Sequence, residues 1–220
     1  KTNLILIFLL LGISPWAFSA SAEMSSKHLR LVKDLMNNNL AYSQDATTTN
    51  IIEWEEEIVD SLRQKKDYRN MFLMKQMAVY AYSLQAKISE ALKKADAMMD
   101  EARLMKYNIG ISLSYQALGD IYLNAGMRPE AVEEYEKAMK TLQATPHAEK
   151  IQERIFIQLV PTLIKLKRMD EAKAYLEHMS EICESKCLSP FLLYAYHAYY
   201  YLRNNDLSKA REYIDEAIKI

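Results

Sequence analysis

Cysteine, glycine and proline are scarce in this 220-residue chain: it has two, four and five of them. So few glycines suit an all-helical fold with few tight turns. Two cysteines alone make a poor zinc site, which usually takes four ligands. Excess charge of one sign is missing too. Lys plus Arg number 28 against 29 for Asp plus Glu, and no basic block exists that could bind phosphates through counterion release. Nucleic acid is therefore excluded as a partner of this segment. Also missing are H-E-x-x-H, G-x-S-x-G and any glycine-rich phosphate loop. The four histidines, His28, His147, His178 and His197, are scattered without ligand spacing, and His197 falls on a packing stripe, where it reads as a core residue. The acidic run Glu53, Glu55, Glu56 and Glu57 reads as a solvated first turn of a helix. The expectation is a non-catalytic chain with no cofactor and no metal, any catalysis belonging to a further domain.

Long apolar runs are absent except at the start. Lys1 precedes LILIFLLLGI from Leu4 to Ile13, then Ser14, Pro15 and a small-residue exit at Ala20-Ser21-Ala22. These are the parts of a secretory signal peptide over residues 1–22, cleaved after Ala22, and the run is shorter than the roughly 20 residues that span a bilayer. The alternative is an uncleaved anchor. An exported, periplasmic chain is expected, possible membrane contact being limited to this segment or to a helix beyond Ile220.

What is present is a repeat. In Ser112 to Thr145, Tyr115, Leu118, Gly119 and Tyr122 lie at i, i+3, i+4 and i+7, and Ala131, Tyr135 and Ala138 share a second stripe. Gly119 and Ala131 are small where two helices must approach. Asn124, Ala125 and Gly126 end the first helix, and Pro129 suits the first turn of the second. Anchoring further pairs at Ala91, Ala172 and Ala210 gives spacings of 40, 41 and 38 residues. The first helices then carry Lys75, Ala78, Val79 and Tyr82, next Phe156, Leu159, Val160 and Leu163, and last Tyr194, His197, Ala198 and Tyr201. Residues 23–66 form an earlier, atypical hairpin: a helix from Ser25 to Tyr42, a polar break at Asp45 to Thr49, and a second helix capped by Asn50 with Glu53. Residues 67–220 hold the repeats, and the missing stop signal at Ile220 suggests a chain that continues.

These residues resemble the tetratricopeptide repeat, whose period is about 34 residues. Only the final Pro of its pattern is lacking, Gln143 standing near that place. The resemblance implies an all-α, right-handed superhelical solenoid of four to five hairpins with an irregular period near 40. A signal-like start with irregular, Tyr-rich repeats further resembles the periplasmic regions of Bacteroides-type sensor histidine kinases and of membrane-bound helix-turn-helix regulators. That implies a sensing and protein-interaction domain of a two-component type receptor; the alternative is a free-standing exported scaffold for envelope assembly. By family phase, a protein or peptide on the concave face would meet Gln76, Tyr80, Gln116, Asp120, Asn124, Arg154, Ile157, Lys165, Tyr199 and Arg203. Pro161 falls in the same row and should kink its helix. Tyr196 and Tyr199, with Leu192 and Arg203, form a second stripe that suits either a partner or packing against an unseen helix. Cys183 and Cys187, four apart, are either a disulfide closing a small loop or two buried thiols.

Overall fold

The computed structural model describes residues 44–186 and 190–219, with side chains over 51–182 and 190–219. Within them the chain is helix joined to helix: α1 (Gln44–Gln64), α2 (Tyr68–Leu84), α3 (Ile88–Leu104), α4 (Asn108–Asn124), α5 (Arg128–Leu142), α6 (Glu149–Lys165), α7 (Met169–Lys186), α8 (Pro190–Arg203) and α9 (Leu207–Ile218). No strand occurs among the described residues.

The joints explain the long period. Lys66, Ala86, Lys106 and Gly126 fall 20 residues apart, and each has positive φ, between 52° and 81°. At each, the joint N–H bonds back three residues and the following N–H five, as in Gly126 to Leu123 and Met127 to Tyr122. This Schellman closure satisfies the last carbonyls of one helix. The residue after the joint already caps the next helix: Met127 accepts from the Ala131 N–H, and Asp67 and Asp206 add side-chain caps to the N–H groups of Asn70 and Lys209. Lys167 and Asn205 repeat the geometry. A wider link, from Gln143 to Ala148, separates α5 from α6. The period near 40 is thus made by pairs of helices on short joints, α2, α3, α4 and α6 each being 17 residues long.

Pairs α2/α3, α4/α5, α6/α7 and α8/α9 stack as hairpins. The first helices touch in succession, α2 on α4, α4 on α6 and α6 on α8, and form one continuous layer. Ala91, Ala131, Ala172 and Ala210, the four anchors, are all buried. A Cβ on Gly119 would lie 2.5 Å from Cε1 of Tyr135, so the ring of α5 occupies the place of a side chain on α4. The fold is an all-helical hairpin solenoid.

Helix α1 corrects the expected start. It begins at Gln44, so Asp45 to Thr49 are helical and Asn50 is no cap. A polar stretch without Gly or Pro does not end a helix, since Thr costs only a few tenths of a kcal/mol per residue, within the roughly 0.7 kcal/mol span of ordinary residues. The acidic run consequently sits in mid-helix, where Glu55 is buried and ion-paired with Lys94 of α3 while Glu53, Glu56 and Glu57 face outward. Burial along α1 follows that of α3, Ile51, Ile58 and Val59 matching Ala91, Met98 and Met99, so α1 acts as a second helix. Glu101 of α3 ties both neighbours, receiving Arg63 of α1 at 2.8 Å and Lys75 of α2. The signal-like segment, the helix expected over Ser25 to Tyr42, and the side chains of Cys183 and Cys187 lie outside the described residues.

Candidate partner surface

The row expected to meet a partner lies on the layer of first helices, but its centre is closed. Gln76, Gln116, Asp120 and Arg154 are each only 4–5% exposed. Three of them, Gln76, Asp120 and Arg154, are held by hydrogen bonds that cross hairpins, while Gln116 Oε1 is buried without a partner. Gln76 Nε2 of α2 donates to Asp120 Oδ2 of α4 at 2.7 Å, and Arg154 Nη2 of α6 donates to Gln76 Oε1 at 2.9 Å. From α5, the Tyr135 hydroxyl donates to Asp120 Oδ1 at 2.7 Å. The expectation that these four are exposed is corrected: α2, α4 and α6 approach closely enough for their polar side chains to bond one another.

Burial sets the electrostatics. It pushes the Asp120 carboxyl up to about 6, against the hydrogen bonds from Tyr135 and Gln76 and the attraction of Arg154. Arg154 is lowered to about 10, chiefly by desolvation, with the Asp120 charge opposing. The Tyr135 phenol is driven far up by burial and then by Asp120. Arg154 occupies the place that Leu73 and Leu113 hold in the preceding hairpins, thirteen residues before the joint, so a cation stands at a core position and reaches past α4 to α2.

The ends of the row stay open. Tyr80 is partly exposed, and Asn124, Lys165 and Arg203 are exposed, the last three each standing two residues before a left-handed joint. Leu84 holds the equivalent place on α2 and is 38% exposed. Asn124 also donates to Ser83 Oγ at 2.8 Å, and Ser83 donates to Tyr80 O. Ile157 and Tyr199 are half-buried.

Pro161 lies inside α6, and its missing N–H leaves the carbonyl of Ile157 without a helical donor. The Tyr196 hydroxyl of α8 fills that place at 3.1 Å. Burial raises the Tyr196 phenol to about 12. Tyr196 thus reaches α6, and both Tyr196 and Tyr199 pack against the core. One member of this surface carries no sequence signal for its role. Tyr135 looks like an ordinary repeat aromatic, and its hydroxyl acquires a role only because Asp120, itself an oddity on an apolar face, stands opposite.

Among the described residues no group of three or more His, Cys, Asp or Glu could hold a metal ion, and no helix is long and apolar enough to cross a membrane. Residues 113–141, covering most of α4 and α5, match the family model described as tetratricopeptide repeat. No curated protein matches the chain.

Proposed function

We propose, on the premise of a tetratricopeptide repeat at 113–141 set in a solenoid of like hairpins, that this chain is a protein-interaction scaffold. The observation that carries the reading is the layer of first helices. Its centre is tied internally by Gln76, Asp120 and Arg154, while Asn124, Lys165 and Arg203 stand free of that network along one edge. An extended segment lying along this edge meets Leu84 and Asn124 first and two cations last, so an acidic stretch at one end of the partner matches it. The finer reading is the extracytoplasmic sensor part of a signal-transduction receptor, supported by the signal-like residues 1–22. The other is a free-standing exported scaffold.

Random peptides selected against the chain test the surface. Selected peptides should be rich in acidic residues and lose at least tenfold in affinity for the variant Lys165→Glu/Arg203→Glu, its fold checked by the helical circular-dichroism signal. Equal affinity for that variant overturns the assignment. Sequencing the gene beyond Ile220 separates the finer readings: a transmembrane segment and an output module support the receptor, and a stop codon supports the scaffold.

A further inference from the structure

The last two hairpins break the packing rule of the others. Eight residues before the joint, Ala78, Leu118 and Leu159 stand on α2, α4 and α6, and α8 places His197 there. Thirteen residues after the joint, Met99 and Met139 are buried on α3 and α5, and α7 places Ser180 there. Two positions that are aliphatic elsewhere have become polar: His197 Nε2 and Ser180 Oγ are 3.1 Å apart. The two line a cavity of about 280 Å³ together with Leu176, Tyr200, Tyr201 and Tyr213.

The lining carries hydrogen-bonding groups that the fold leaves open. Ser180 gives its proton to Leu176 O at 2.9 Å, so His197 Nε2 must donate to Ser180 and Nδ1 is left as an acceptor. Neither that nitrogen nor the hydroxyls of Tyr200, Tyr201 and Tyr213 bond another described residue. Tyr135 and Tyr196, by contrast, both spend their hydroxyls on the protein. Charge is balanced at the rim, where Lys173 and Glu177 pair at 3.6 Å, and desolvation lowers the pKa of His197 from its ordinary value, with Glu177 opposing. The Tyr213 ring is stacked on those of His197 and Tyr201.

We infer that this cavity binds an uncharged, hydroxyl-bearing ring the size of one monosaccharide. A charged ligand would find no unpaired opposite charge in it. A purely apolar ring would strip water from polar groups of the lining that have no protein partner and return nothing to them. A ring with hydroxyls at its edge and an apolar face satisfies both demands, set against Leu176 and the aromatic walls. The volume lies just below the range of roughly 300–1,000 Å³ for small-molecule sites, which suits one ring and not a chain of them. The site is independent of the first-helix edge and stands whether or not that edge binds a partner.

Saturation-transfer NMR on the whole chain tests it, with methyl β-glucopyranoside, methyl β-galactopyranoside, phenol and tetramethylammonium as probes. A glycoside should give signal with the wild type and lose it with His197→Leu, which restores the residue of Leu118 and Leu159 and keeps the fold. Tyr213→Phe, which deletes one hydroxyl and keeps the ring stack, should weaken binding several-fold. Signal from phenol or tetramethylammonium without a glycoside, glycoside signal that survives His197→Leu in a folded protein, or no signal at all overturns the inference.

Discussion

Asp120 shows what one buried carboxyl does to the pH response. Its folded pKa of about 6 is above the ordinary value of 3.8, so the folded chain binds a proton more readily than the unfolded one between those values. A raised pKa contributes stability that is complete below about 4 and is lost as pH rises through 6. About two units correspond to on the order of 3 kcal/mol. Glu101 and Glu171 run the other way, since both are lowered, the latter by its hydrogen bond with Arg168. Urea denaturation from pH 7.5 to 4 of the wild type and of Asp120→Asn separates the two. Wild-type stability minus that of the variant should rise by a few kcal/mol on acidification. A flat difference would mean that Arg154 and Tyr135 already offset the burial of the charge.

Helix α6 depends on α8 for one of its own hydrogen bonds. Tyr196→Phe should cost about 1 kcal/mol, because it leaves the partly buried Ile157 carbonyl without a donor. In a Pro161→Ala background the residue at 161 regains its N–H, and the same change should cost less than about 0.5 kcal/mol; a double-mutant cycle by thermal or urea denaturation reads the coupling. A coupling near zero would show that the tyrosine acts by packing alone. This tie was half legible in the sequence. Pro161 marks a missing bond, but its remedy lies 35 residues further on, at Tyr196. The same distance hid the closed centre of the row, where Gln76 meets Asp120 and Arg154 from 44 and 78 residues away. Stripes and anchors were legible because they depend on spacing within one helix. Of the joints only Gly126 announced itself, since Lys66, Ala86 and Lys106 adopt positive φ without the residue that usually signals it. The cavity at His197 was hidden by the same logic, as its stripe position suggested core.

Across the whole molecule those joints are a distributed weakness. A left-handed non-glycine residue costs roughly 1–2 kcal/mol, against which glycine loses about 0.5–1 kcal/mol of entropy on folding. Ala86→Gly should therefore raise stability by about 0.5–1 kcal/mol in urea denaturation. Lys106→Gly should gain less, because a cation at a helix C-terminus is itself favourable. The two gains should add, since the joints stand in different parts of a structure held by neighbour contacts. No gain at Ala86 would mean that its turn is fixed by the flanking helices.

The even spacing of the joints gives the chain a reading frame of its own. Removal of 40 residues between equivalent joints brings a first helix to where a first helix stood. Removal of 20 brings an outer helix to an inner place, and every stripe beyond it then faces the wrong layer. Such a molecule can lengthen or shorten only in whole hairpins, so its length is counted in steps of two helices.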